Sequence, residues 1–271
     1  MIQRIVVVFI TIIFSVKFFS QSTLPVGAQS AGMGGVSVAN ESVYSAFNNQ
    51  AGLVSLKKFA GVVNYENRYL LPEIGTKSFA AARSIKAGVF SVSINSFGNK
   101  LYSENKYGLA FAKGFGDILS VGIQMNYLST RIAEGYGKSG VAAAELGIQS
   151  KPIKNLIIGA HVFNPTRAQL ADYNNERLPT IFKIGAAYLV STKVTTAVEF
   201  VKDIRYKPEF RIGLEYKPVN VLYIRVGVAT QPSTFAVGIG LQLKDFRLDI
   251  SSSYHPMLGY SPQMGLVYQV K

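Results

Sequence analysis

The 271-residue chain has no cysteine. That excludes disulfides, thiolate metal sites, cysteine nucleophiles and a lipid anchor attached through cysteine. Tryptophan is absent, and histidine occurs only as His161 and His255. Neither histidine falls in a recognisable nucleophile–base pattern, so no enzymatic activity, metal site or cofactor is expected. Acidic residues are scarce: 15 Asp and Glu face 28 Lys and Arg, for a formal charge of +13. A basic balance points to nucleic acid where the positive residues cluster. Here they are dispersed over two sets of turns. Lys57, Lys58, Lys86, Lys151, Lys154, Lys193, Lys217 and Lys244 fall in one, and Lys100, Lys106, Arg131, Lys138, Arg167, Arg177, Arg205 and Lys207 in the other. Charged rims flanking apolar middles are a membrane pattern, and no nucleic-acid partner is expected.

Long apolar runs are also missing, apart from the start. Arg4 precedes an apolar stretch from Ile5 to Phe14, and Lys17 interrupts a second that ends at Phe18, Phe19 and Ser20. This core is too short for a membrane helix and reads as an export signal, residues 1–20, cleaved near Ser20/Gln21.

What the chain has in abundance is alternation. Leu222, Ile224, Val226 and Val228 alternate with Tyr223, Arg225, Gly227 and Ala229. Phe235, Val237, Ile239 and Leu241 alternate with Ala236, Gly238 and Gly240, and the same period recurs from residue 59 onward. A helix would place Leu222 and Arg225 on nearly one face, so the period is that of strands. The runs predict strands near 59–66, 77–86, 87–96, 106–115, 117–130, 139–150, 154–163, 179–190, 193–202, 207–217, 221–230, 233–243, 245–255 and 261–270. That is fourteen, an even number, joined alternately by short turns and longer loops, as in an outer-membrane barrel with its turns in the periplasm. A soluble sandwich would carry its polar face outward, but here the second face is mostly Gly, Ala, Ser and Thr. The expected fold is therefore all-β: a 14-stranded antiparallel transmembrane β-barrel over 59–271, preceded by an N-terminal plug or hatch segment over 21–58.

Within that segment, "GAQSAGMGGVSVANESVYSAFNNQAGL" spans Gly27 to Leu53. Its glycines do not make a nucleotide loop, because no strand precedes them and no lysine follows at the required spacing. A fourteen-stranded wall encloses more space than its own side chains fill. Small inward residues such as Gly108, Ala110, Ala112, Gly185, Ala187, Ala236, Gly238 and Gly240 widen it further. An amphipathic piece around Val43–Val54, with Val43, Phe47, Leu53 and Val54, is expected to fold inward. The charges on the inner parity, Lys183, Glu199, Arg211, Glu215, Arg225, Arg247 and Asp249, must be hydrated or paired there, since an unpaired buried ion costs several kcal/mol. They are expected to form a network that braces the wall or holds the plug, with Arg225 in salt-bridge reach of Glu215. An anion-favouring passage is the alternative. At the other end of the chain, Tyr268 with Leu266 and Val270 resembles the aromatic C-terminal signature of assembled outer-membrane barrels.

The opening stretch also resembles the N-terminal signature of the PorV/PorQ family of Bacteroidetes-type outer-membrane proteins, relatives of the FadL-like barrels. Gly27, Ala28, Gly32, Met33, Gly34, Gly35, Asn48, Asn49, Ala51, Gly52 and Leu53 carry the match. Gln29 stands where arginine is usual and Gln50 where proline is usual. The resemblance implies a plug built on Gly32, Met33, Gly34, Gly35, Phe47, Asn48, Asn49, Gln50 and Gly52. It implies a multi-pass protein in the outer membrane of a Gram-negative, Bacteroidetes-like bacterium, surrounded by outer-membrane lipid. Two functions follow from it: an accessory, partner-binding component of type IX-like protein secretion, or a FadL-like channel for small hydrophobic molecules. A channel should show a lateral gap or kinked strand and an apolar pocket beneath its loops. A partner-binding protein should show a sealed lumen and exposed apolar loops.

Overall fold

The structure is a computed structural model that describes residues 25–133, 137–171 and 176–270. The expected export signal over 1–20, and residues 21–24 of the expected plug segment, lie outside the described residues. Sixteen strands are present: β1 Phe59–Glu66, β2 Thr76–Ile85, β3 Gly88–Gly98, β4 Tyr102–Phe115, β5 Leu119–Ile132, β6 Gly137–Ile153, β7 Leu156–Phe163, β8 Gln169–Ala171, β9 Glu176–Arg177, β10 Ile181–Ser191, β11 Val194–Asp203, β12 Glu209–Val219, β13 Leu222–Thr230, β14 Ser233–Leu243, β15 Phe246–His255 and β16 Gly259–Gln269. Fourteen of them form one closed antiparallel barrel, in which β1 pairs with β16 around Val62↔Val267. The remaining two, β8 and β9, pair with each other inside the long loop after β7, a feature the alternation does not announce.

Closure follows from the two faces of each strand. The outer face carries the large apolar side chains: Leu109, Met125, Ile184, Ile212, Val226, Ile239 and Ile250 are each about half exposed. Returning even a dozen such groups to water would forgo roughly 1.5–3 kcal/mol each, more than the net stability of an ordinary domain. Lipid removes that cost, and ring closure leaves no unpaired sheet edge in it. Aromatic side chains flank the apolar band. On the short-turn side Phe59, Phe246 and Tyr268 meet at centroid distances of 6.4 and 4.9 Å, and on the loop side Tyr254 and Tyr260 meet at 4.9 Å. These are the two interfacial girdles of a transmembrane barrel.

The rim on the loop side is uneven. β4, β5 and β6 run for 14, 14 and 17 residues, whereas β7 has 8. The β6–β7 ladder therefore stops at Glu145↔Phe163, and above it Gly137–Ala144 pairs with β5 alone. The chain leaves that corner through Asn164, whose N–H donates to the Ala144 carbonyl at 2.9 Å.

Candidate functional site

The inner face holds a second chain segment. Pro25 to Leu56 runs through the lumen as three short turns: α1 Ala28–Gly32, α2 Ser45–Asn48 and a 3-10 turn over Gln50–Ser55. Helices this short have no stability of their own. Sequence chemistry sets their ends: Gly34 and Gly35, at φ 67° and 87°, reverse the chain after α1, and the Gly35 N–H closes the turn on the Ser30 carbonyl at 2.9 Å. Asn49 caps the 3-10 turn through its side chain, which accepts from the Ala51 N–H at 3.2 Å. Asn48 ties the start of the segment to its middle, donating to the Val26 carbonyl at 2.9 Å and accepting from the Val26 N–H at 3.1 Å.

Three pairs of wall glycines let the segment sit against the strands. Gly122 is opposite Gly147, Gly159 opposite Gly185, and Gly213 opposite Gly227. A Cβ built on each would stand 2.5 Å from Ala51 N, 2.1 Å from the Asn49 side-chain oxygen, 2.4 Å from the Val38 carbonyl oxygen, 2.8 Å from a Val38 methyl, 2.6 Å from the Met33 carbonyl oxygen and 2.1 Å from the Met33 carbonyl carbon. Gly32 similarly meets Gly238, whose added Cβ would lie 3.1 Å from the Gly32 Cα. The small inner residues thus admit protein backbone rather than leaving the lumen open. Apolar side chains complete the seat: Val43, Tyr44, Phe47, Leu53 and Leu56 pack on Ala60, Val62, Ala80, Ala82 and Val89 of the wall. Met33, Val36 and Val38 pack on Ala187 and Ala197. Gly52 is buried in the segment's own fold, where an added Cβ would come 2.3 Å from the Asn40 carbonyl oxygen.

Charges fasten what the glycines admit. Both oxygens of Glu199 are occupied: one accepts from the Ser37 and Val38 N–H groups at 2.7 and 2.6 Å, the other from Arg211 at 3.1 Å. Arg211 also donates to the Gly35 carbonyl at 3.0 Å and forks onto Glu209 at 2.7 and 2.8 Å. On the neighbouring strand β13, Arg225 bridges Glu215 of β12 and Asp249 of β15, at 2.7 Å to each. Asp249 accepts further from Arg247 at 2.9 Å, and Arg247 donates to the Gln29 side chain at 3.0 Å. Glu145 gathers Lys106, His161 at 3.0 Å, Asn126 at 2.9 Å and Gln50 at 3.0 Å. Lys183 is buried next to these groups, opposite His161 and Val201 in register.

All seven charges assigned to the inner parity face the lumen, and Arg225 lies within salt-bridge reach of Glu215. Lys106 needs correction: the tally of charged turns puts it on the loop-side rim, but it lies on β4 and pairs inside with Glu145. It is the first residue of the expected strand 106–115 and shares the parity of Gly108 and Ala110, so the alternation itself puts it inside. Also missed were Glu145 and His161 as partners, Glu209, and Gln149, whose side chain donates to the Val38 and Asn40 carbonyls at 2.9 and 3.1 Å.

Above the segment, towards the loops, remains a cleft of about 90 Å³ with a mixed lining: Glu66, Arg68, Glu209 and Arg211 are polar, and Pro25, Ala229, Pro232 and Ala236 are apolar. Across the lumen from it, Phe163, Ile181, Val201 and Leu128 fill the space with apolar side chains.

This geometry can be set beside known proteins. The Ralstonia pickettii toluene transporter TbuX matches with a TM-score of 0.70 over 91% of this chain and 98% of its own, at 12% identity. The deltaS2 mutant of the monoaromatic hydrocarbon channel TodX matches at 0.71 over 91% and 99%, also at 12% identity. A Pseudomonas aeruginosa FadL homologue matches at 0.63 over 91% and 99%, at 11% identity. The fold is that of the FadL-like barrels. No protein-family model and no curated sequence matches the chain. The FadL-like architecture rests on strand number, closure and overall shape, which survive at identities where side-chain roles do not.

Proposed function

We propose that the chain is a non-enzymatic outer-membrane channel for small hydrophobic molecules, gated by its N-terminal segment. One observation carries this reading: the wall is shaped by paired glycines to seat a separate chain segment, rather than filled by its own side chains. A barrel built only as a brace has no need of an inner surface fitted to backbone. The neighbours described as transporter and hydrocarbon channel share the architecture and support the reading. The cleft above the segment would admit a solute only when the segment moves. The test is uptake of labelled toluene by intact cells that lack a hydrocarbon channel of their own and express this chain. Uptake above the empty-vector level is expected, and uptake equal to that level overturns the channel.

A second reading, partner binding in a secretion system as the PorV/PorQ resemblance implies, is favoured by the lumen filled by the segment and by apolar loop tips. Leu70, Leu71, Leu101, Met257 and Leu258 are all more than half exposed on the loop-side rim. Recovery of secretion components with the tagged protein from native membranes would support it.

A further inference from the structure

The protruding β4–β5–β6 flap carries a second feature, on its outer face rather than in the lumen. Read upward in register, the outward rows change character in order. Leu109 and Met125 are apolar, and Tyr107 and Tyr127 stand opposite each other in the aromatic girdle. Asn105 and Ser129 form the next row, and above them Ser103 faces Arg131, which faces Lys138. Four residues of strand put Arg131 about 13 Å above Tyr127. These upper rows enclose an outward-facing groove of about 690 Å³. Two like charges directly opposite on neighbouring strands are unfavourable unless an anion joins them. No carboxylate of the described residues lies within 4.0 Å of either one. Ser129 is only 6% exposed although it points outward, so the groove has a walled polar floor. Gly140 leaves the space into which the Tyr127 hydroxyl folds, since a Cβ there would stand 2.2 Å from that oxygen.

We propose that this groove binds the phosphorylated head group of a lipid in the outer leaflet. Arg131 and Lys138 hold the phosphate, Ser129 and Asn105 hydrogen-bond the sugar or glycerol portion, and the acyl chains run down over Tyr107, Tyr127 and Leu109. The order of the rows matches the order of such a lipid, from phosphate through interface to hydrocarbon. A guanidinium and an ammonium side by side suit a phosphate better than any neutral head group. The site depends on outer-membrane placement and is independent of whether the lumen conducts.

The full chain in detergent micelles, incubated with diphosphorylated lipid A, tests this by native mass spectrometry. The intact barrel should retain one lipid A under activation that strips phosphatidylethanolamine. The Arg131→Ala/Lys138→Ala double variant should retain about tenfold less, consistent with loss of two charge-assisted contacts. Heat-modifiable gel migration verifies that this variant folds, and Lys100→Ala, at a rim lysine outside the groove, should retain lipid A as the parent does. The proposal is overturned if the double variant retains as much as the parent or Lys100→Ala loses as much as the double variant. It also fails if dephosphorylated lipid A binds equally well, or if inorganic phosphate alone occupies the site as readily as the lipid.

Discussion

Glu199→Gln isolates what holds the N-terminal segment in place. The carboxylate accepts two N–H groups of the segment, from Ser37 and Val38, at 2.7 and 2.6 Å. Hydrogen bonds to a charged acceptor contribute roughly 1.5–3 kcal/mol each, against 0.5–1.5 for neutral ones. The amide keeps one acceptor oxygen but loses the charge, so the seated state should weaken by about 2–3 kcal/mol, a rise of roughly 30- to 150-fold in the unseated population. Because the chain has no cysteine, Ser37→Cys supplies a single thiol at a fully buried position whose own N–H the carboxylate holds. Maleimide labelling of that thiol in vesicles should accelerate by the same factor when Glu199→Gln is added, provided opening and closing are fast relative to labelling. Acceleration of less than threefold would show that this carboxylate is not what retains the segment.

Gly227→Leu is expected to prevent Met33 and Gly34 from seating, since even a Cβ there would meet the Met33 carbonyl carbon at 2.1 Å; planar-bilayer conductance should rise, and a closed barrel would contradict the reading of the glycine pairs. Arg225→Met leaves Glu215 without its partner in the lumen, while Asp249 retains Arg247 at 2.9 Å, so the loss on urea unfolding from vesicles should fall at the lower end of the range for a broken buried pair, about 3 kcal/mol. A loss below about 1 kcal/mol would mean the network does not brace the wall. Ile239→Arg, midway along the lipid face of β14, should cost about 2–4 kcal/mol in the same assay, and a neutral result would contradict the lipid-facing assignment. Cysteines placed singly at Ala31 and Ala51 should label in that order, with Ala31 the faster, and the reverse order would place the mobile part of the segment elsewhere.

The barrel was legible because lipid imposes one simple rule on every second residue. Val226, Val228, Ile239 and Ile250 announce their face without knowledge of any neighbour, and all fourteen barrel strands appear in the alternation. The inner face obeys no such rule, because each residue there answers to a particular atom of the N-terminal segment. Gly147 is legible as small; that it is glycine because the Asn49 side chain lies against it is not. Gln29 and Gln50 depart from the family pattern they resemble, and both turn out to bond the wall, to Arg247 and Glu145. β8 and β9 escaped notice because a pair this short is set by loop closure rather than by periodicity.

Passage through this lumen requires the segment to yield, and its fastenings are unequal. From Val38 onward it is tied down on several sides. Asn49 donates to the Ile148 carbonyl at 3.2 Å, Gln50 bonds Glu145, and Gln149 holds the Val38 and Asn40 carbonyls. Leu53 and Leu56 lie in the apolar cluster against β1 to β3. From Pro25 to Val36 the polar ties to the wall are fewer: the Ala28 N–H to Asn64 at 3.0 Å, Gln29 to Arg247, and the Gly35 carbonyl to Arg211. Each neutral bond among these contributes only about 0.5–1.5 kcal/mol. The cleft lies directly over this part, lined by Pro25, Ala31, Gly34 and Gly35, so displacement towards the loops has space to enter. Glu199 grips Ser37 and Val38 at the boundary between the loose and the fixed portions, which makes that carboxylate a hinge clamp. Opening by the first portion alone breaks these three ties, two of them to arginine and so roughly 1.5–3 kcal/mol each, with the packing of Met33 and Val36, and leaves the glycine seats of Asn49 and Ala51 filled. That asymmetry is why a thiol at Ala31 should react before one at Ala51.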